Sequence, residues 1–257
     1  SDKGIVYTFG SHTFINTLGN PVSGSFNIEL VEVLTKKEMM LLNRPTFTHS
    51  GRLLVSGGVV YLNATQNGQQ LSINDSDPVM VSIPTDNYIP MDFFDGSFDN
   101  QGGFGWDESE DDTIIINTNG NGQDSTFFED FFSFDFEIDS IGWINCDYFY
   151  NSVDPLTQVE VVLPDTFNGD NSVVFIYYSD INSVASLSDY DLDGTFDLGA
   201  SYFTPVGMEV TFVVISESDG TFFYNFVTTT ITQDHLEVIS ALTSVTEAEL
   251  EVLINNL

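Results

Sequence analysis

The run from Asp189 to Asp197 is where residue types and spacing come nearest to a defined chemistry. Asp189-Tyr190-Asp191-Leu192-Asp193-Gly194-Thr195-Phe196-Asp197 places carboxylates at positions 1, 3, 5 and 9 of a loop with glycine at position 6. Alternate side chains of such a loop point inward, and glycine permits the sharp turn. Asp189, Asp191, Asp193 and Asp197 are therefore candidate ligands for a hard, oxygen-seeking cation, calcium first. Position 12, where a bidentate Glu ordinarily closes the shell, is Ala200, so a site here would have to complete its shell elsewhere. The plain alternative is an acidic hairpin tip in a chain that holds 39 Asp and Glu. If calcium binds, its expected role is to brace a loop rather than to catalyse.

Other residue types point away from turnover. Cys146 is the single cysteine and stands between Asn145 and Asp147 in an apolar context of Ile141, Trp143 and Ile144. A nucleophilic thiol needs a cationic or imidazole neighbour to lower its pKa. The second half of the chain has no Lys or Arg, and His235 is its one histidine, so a buried structural thiol is expected. His12, His49 and His235 lie far apart and form no zinc spacing. Nucleophile-elbow, P-loop and dinucleotide motifs are missing. Paired carboxylates for glycoside hydrolysis must sit at a set separation in a cleft, and among 39 acids the spacing alone selects no pair. Tyr148, Phe149 and Tyr150, or Phe222, Phe223 and Tyr224, could stack on a sugar. Alternation nevertheless sends at least one of each three into a core. No catalytic residue and no organic cofactor is assigned, and the chain is expected not to be an enzyme.

Charge narrows the partners further. The 257 residues carry a formal charge of −34. All five cations (Lys3, Lys36, Lys37, Arg44 and Arg52) fall in the first 52 residues, leaving residues 53–257 without one. Nucleic acid is excluded, because its affinity comes largely from cations that displace counterions. Anionic membranes and phosphorylated substrates are disfavoured for the same reason. Such a surface repels itself and is best screened by salt or divalent ions. No stretch approaches the roughly 18 uncharged apolar residues of a membrane-spanning helix.

The elements that must position these residues are strands. Period-two runs rich in Val, Ile, Phe, Tyr and Thr occur at 25–33, 58–65, 69–73, 78–83, 132–138, 158–163, 172–178, 209–215 and 221–229. In the first of these, Phe26, Ile28 and Leu30 share one face. Asn67-Gly68 signals a tight hairpin, since both residues tolerate positive φ. Residues 36–43 suggest a short helical turn. Thr246-x-x-Glu249 is a capping box opening an amphipathic helix with Leu250, Leu253, Ile254 and Leu257 on one stripe. The fold expected is all-β: two antiparallel β-sandwich domains with a short C-terminal helix. A division into 1–106, an acidic and Asn/Gly-rich linker over 107–126, and 127–257 follows from Asp107–Asp112 and Asn117–Gln123. A long hairpin loop within one domain is the alternative for that stretch. Ile114–Ile116 inside it reads as a short docked strand. Asp112-Thr113-Ile114, Asp124-Ser125-Thr126 and Asp139-Ser140-Ile141 match a short bacterial O-glycosylation pattern, weak at three residues.

Several separated blocks resemble one another's counterparts in a known family. They are Asn20-Pro21-Val22-Ser23-Gly24, Arg44-Pro45-Thr46, Leu53 through Leu62, Ala64 through Gly68, and Met91 to Gly96. Ile141-Gly142-Trp143-Ile144-Asn145-Cys146-Asp147 and Pro205-Val206-Gly207 follow in order. Together they resemble uncharacterised two-domain exported proteins, often lipoproteins, common in Bacteroidetes. In that family a transthyretin-like or ZU5-like module precedes a second β domain. Tyr148 stands where relatives often carry Arg or Lys. The resemblance implies location and architecture but no activity. A secreted or cell-surface protein is expected, an outer-membrane lipoprotein if a lipid-bearing Cys precedes Ser1. Its expected partner is a protein or a glycan at that surface. The function these readings support is a non-catalytic interaction or structural protein, calcium-stabilised at 189–197. A carbohydrate-binding module of a glycan-uptake system is the alternative, and a glycoside hydrolase ranks below it.

Overall fold

The computed structural model describes residues 1–86, 88–100, 102–109, 112–118, 132–190 and 194–257. The chain is all-β, with several antiparallel sheets and a short C-terminal helix. Its residues cluster into two compact units that interleave along the sequence. The first comprises 1–34, 56–97 and 107–148, the second 35–55, 98–106 and 149–257. This partition differs from the sequential one expected from the acidic run. Asp107 and Glu108 end a strand, and Ile115–Thr118 form another inside the first unit. Residues 110, 111 and 119–126 of the expected linker lie outside the described residues.

The first unit is built on β1 (Val6–Thr8), β2 (Phe14–Ile15), β3 (Asn27–Val33), β4 (Leu54–Gln66), β5 (Gln69–Gln70), β6 (Ser72–Ile73), β7 (Val79–Thr85), β8 (Asp92–Phe98), β10 (Ile115–Thr118), β11 (Phe132–Ile138) and β12 (Gly142–Phe149), while β9 (Phe104–Glu108) begins in the second unit and ends in the first. One sheet runs β1-β7-β11-β10 and the other β3-β4-β12-β8-β9, with β5 hairpinned onto β4. The turn into β5 uses Asn67 and Gly68 at φ of 52° and 77°, the geometry that two-residue hairpins require. Alternation decides the core. Val79, Val81 and Ile83 of β7 stand opposite Ile138, Phe136 and Phe134 of β11, and all six are buried. Leu62 and Ala64 of β4 and Ile144 and Cys146 of β12 join the same apolar cluster. The β10–β11 register runs from Ile115 opposite Asp135 to Thr118 opposite Phe132.

The second unit carries α1 (Lys36–Leu41), β13 (Leu156–Thr157), β14 (Val159–Val162), β15 (Ser172–Tyr178), β16 (Val184–Ser186), β17 (Asp189–Tyr190), β18 (Thr195–Asp197), β19 (Thr204–Pro205), β20 (Glu209–Ser218), β21 (Thr221–Thr230), β22 (His235–Val238), β23 (Thr243–Val245) and α2 (Glu247–Asn255). Its sheets run β16-β15-β20-β21-β23 and β17-β18-β14-β22, and β13 pairs with β19. The β14–β22 pairing is parallel. Val174, Ile176 and Tyr178 face Val214, Phe212 and Val210 across β15 and β20, and all are buried. Val159, Val161 and Phe196 from the smaller sheet complete that cluster. Both helices open on a reciprocal capping box, Thr35 with Glu38 and Thr246 with Glu249. Among the described residues no helix is long and apolar enough to cross a membrane.

Candidate functional site

The calcium-type motif falls on the hairpin of β17 and β18. Asp189 stands directly opposite Asp197 across that hairpin, and Asp197 stands opposite Glu160 on β14. Opposed residues on neighbouring antiparallel strands project from the same face. Asp189, Asp197 and Glu160 thus form one row across three strands. The chain's cations all lie before residue 53, so no Lys or Arg of these strands offsets the row. Asp189 and Glu160 are exposed and Asp197 is half-buried. Gly199 N–H donates to Asp197 Oδ1 at 2.5 Å. Gly194, at the motif's sixth position, has φ of 89°, in line with the sharp turn that position demands. Asp191 and Asp193 lie outside the described residues. Ala200 lines the same hollow of about 220 Å³ as the three carboxylates but brings no side-chain oxygen. Among the described residues no three His, Cys, Asp or Glu groups are gathered closely enough to hold a metal ion by themselves. Glu160 was missed by sequence reasoning. Alternation in Val159-Glu160-Val161 puts it on the solvent face, but its position beside Asp197 comes from strand order.

A larger hollow of about 480 Å³ in the same unit shares Asp189, Leu198, Gly199, Ala200 and Tyr202 with the first. Phe47 and Leu198 are buried at its floor, and Tyr202 leans on Phe47 with ring centroids 5.7 Å apart. His49, Asp99, Ser188 and Asp189 stand around it. Burial, then the Asp99 carboxylate, raise the pKa of the Tyr202 phenol, which places Asp99 and Tyr202 in one electrostatic neighbourhood. Two glycines allow the walls to close. At Gly51, φ is 85° and a Cβ would collide with the Ser201 carbonyl oxygen. A Cβ on Gly105 would lie 2.6 Å from His49 Nδ1. Backbone bonds hold the rim: His49 N–H to Trp106 O at 3.0 Å and Asp99 N–H to Gly103 O at 2.8 Å. Gly103 N–H also donates to Asp99 Oδ1 at 2.8 Å. These residues come from three distant stretches of chain, which spacing could not bring together.

In the first unit, β12 is buried on both faces. Ile144 and Cys146 enter the apolar cluster, while Asn145 and Asp147 are both 0% exposed on the opposite face. Ser56 Oγ donates to Asn145 Oδ1 at 3.1 Å, and Asn145 Nδ2 donates to Asp147 Oδ2 at 2.5 Å. Asp147 Oδ1 has no hydrogen-bond partner among the described residues. Desolvation pushes the Asp147 carboxyl up to about 7, against the opposing pull of the Ser56, Asn145 and Gly57 dipoles. Burial, with the Asp147 and Asp92 carboxylates nearby, drives the Cys146 thiol far up as well. A thiol so placed stays protonated and is a poor nucleophile.

The remaining sequence candidates are scattered. His12 is exposed beside Ser11. His235 is buried, stacked on Phe212 and 3.5 Å from Glu237. The Arg52 guanidinium sits 3.2 Å above the Phe149 ring. Phe222, Phe223 and Tyr224 are at most partly covered, as strand β21 is throughout. Comparison with protein-family models, with curated proteins and with solved structures found no match to this chain. The resemblance to exported Bacteroidetes proteins therefore rests on its sequence blocks.

Proposed function

We propose that the chain is a non-catalytic interaction protein of the cell surface or extracellular space, braced by calcium at the β17–β18 hairpin. The observation that carries this reading is the row Glu160–Asp197–Asp189. Like charges directly opposed across strands destabilise a sheet. Here the row leads into Asp191 and Asp193 with no Lys or Arg in residues 53–257 to offset it. A hard divalent cation with oxygen ligands resolves that repulsion. Exposed, partly formed oxygen sites of this kind fit the weak, roughly 10⁻⁴–10⁻³ M class of extracellular calcium modules. Such a site is loaded where calcium is millimolar, which supports a place outside the cell. The protonated, buried Cys146 thiol favours binding over nucleophilic catalysis.

The test is thermal unfolding at high NaCl, first in EDTA and then in millimolar calcium. An ion that binds only the folded state at 100 times its dissociation constant adds about 2.7 kcal/mol. The expected result is a clear rise in Tm with calcium. It should be reduced by Glu160→Gln and abolished by Asp191→Ala with Asp193→Ala. A rise that survives the double substitution, or no rise at all, removes calcium from the reading.

A further inference from the structure

We propose that the larger hollow of the second unit is a binding site for a neutral polyhydroxylated ring, that is, a carbohydrate. This deepens the interaction reading by naming a ligand class; the hollow shares Asp189 with the carboxylate row, so binding is read with and without calcium.

The lining has the two-sided chemistry of a sugar. A pyranose presents an apolar C–H face and an edge of hydroxyls. The hollow presents the Tyr202 ring backed by Phe47 and, around it, Asp99, His49, Ser188 and Asp189. Carboxylates accept paired hydroxyl protons, while imidazole and hydroxyl groups serve as donor or acceptor. At about 480 Å³ the space falls within the range of small-ligand sites.

Charge selects among ligands. Asp99 and Asp189 line the hollow and no Lys or Arg is among its lining residues; the Arg44 guanidinium behind the Phe104 ring is engaged by that ring and by the Leu42 and Asn43 carbonyls, so phosphate, sulfate and uronate groups would meet the two carboxylates. An organic cation would be accepted by charge alone. A cation site, however, gains most when carboxylates or ring faces converge on one point. Here Asp189 belongs to the β17–β18 hairpin and Asp99 to a turn pinned to Gly103. The lining mixes the Tyr202 and Phe104 rings with the Ser186, Ser188 and Ser201 hydroxyls, which suits a polyol better than a point charge.

The walls are also preorganised. Asp99 Oδ1 is fixed by Gly103 N–H, and Tyr202 N–H bonds Gly199 O at 3.1 Å. Gly51 and Gly105 allow approaches that any side chain would block. Rigid walls reduce the ordering cost of binding.

The experiment uses the full chain and titrates it calorimetrically with neutral gluco-, galacto-, manno- and xylo-oligosaccharides, and separately with spermidine, each in EDTA and in calcium. Released reducing ends are assayed in the same samples. Saturable binding of at least one neutral oligosaccharide is expected. Tyr202→Ala and Asp99→Asn should each weaken it about tenfold or more, the order of a lost stacking ring or paired hydrogen bond. Because Tyr202→Ala removes packing on Phe47, Ser188→Trp serves as the second variant. Position 188 is exposed, so that ring fills the hollow without disturbing the core and should abolish binding at unchanged Tm. Tyr224→Ala on β21 should leave binding intact. Failure of every oligosaccharide, or binding indifferent to Ser188→Trp, overturns the proposal. Spermidine binding that Ser188→Trp blocks, without any sugar, overturns the carbohydrate assignment while the interaction reading stands. Sugar turnover lost with Ser188→Trp would uphold the carbohydrate site and overturn the non-catalytic reading.

Discussion

Asp147 shows how much a single carboxyl can depend on strand order. The buried thiol expected at Cys146, from its apolar context and the lack of Lys or Arg in that half of the chain, is found. Sequence alone would leave Asn145 and Asp147 facing water. They are buried because β12 lies between β4 and β8 and is covered on both sides, a fact of tertiary arrangement. The consequence is a pH dependence with a definite sign. The folded carboxyl titrates at about 7, against roughly 3.9 in an unfolded chain. Between these values the native state holds a proton that the unfolded state has released. Stability is therefore greatest at the acid end of the window and is lost as pH rises through 7, by at most about 1.4 kcal/mol per pH unit. Urea unfolding at pH 5 and pH 8 in high NaCl, on wild type and Asp147→Asn, should show it. The amide keeps the hydrogen bond from Asn145 and cannot ionise, so it should flatten the dependence and be the more stable form at pH 8. Parallel pH profiles would mean that Asp147 is already ionised in the fold.

At the scale of elements, local chemistry was legible and sheet position was not. The strand at 172–178 matches β15 from end to end, and the runs at 209–215 and 221–229 fall within β20 and β21. Asn67-Gly68 forms its turn. The Thr246–Glu249 capping box closes as the spacing predicts, with Glu249 N–H donating to Thr246 Oγ1 at 3.3 Å and Thr246 N–H to Glu249 Oε2 at 3.0 Å. Replacing Thr246 with Ala should cost about 1 kcal/mol and speed amide exchange through the first turn of α2. An unchanged exchange rate would show that packing of Leu250 and Ile254, not the cap, sets where the helix begins. The apolar face expected on 25–33 is only partly a core face. Phe26, Ile28 and Leu30 remain 37%, 38% and 39% exposed, because β3 sits at the end of its sheet with β4 as its neighbour. The carboxylate row was half legible for the same reason. Asp189 and Asp197 stand in one motif, but Glu160 joins them through the β14–β18 register, which alternation cannot supply. The Phe47, Asp99 and Tyr202 hollow needed three remote segments and left no local signal.

At the scale of the whole molecule, Asp107 and Glu108 of the acidic run end β9 where the chain re-enters the first unit, and this has a testable consequence. Charge does crowd there. Partial burial, then the Asp112, Asp139 and Asp107 carboxylates, hold the Asp95 carboxyl above its usual range. A polar, charged segment and a domain boundary share one composition, since both are solvated; only the pairing of the flanking strands distinguishes them. In the first unit β11 lies between β7 and β10, and β12 lies between β4 and β8. A fragment of residues 1–106 would carry β4, β7 and β8 without either central partner. Val79, Val81 and Ile83 would lose the Phe134, Phe136 and Ile138 they pack against, and the bared strand edges would invite association. The five chain crossings between units mean that the fragment also takes pieces of the second unit away from their partners. The fragment 1–106 alone, in high NaCl to screen the net charge, should lack dispersed amide resonances and aggregate. Expressed together with 107–257, it should co-purify as a soluble pair whose spectrum resembles that of the intact chain. A folded, monomeric 1–106 would restore the sequential division that the acidic run suggests, and would require β4, β8 and β7 to form a stable core without β11 and β12.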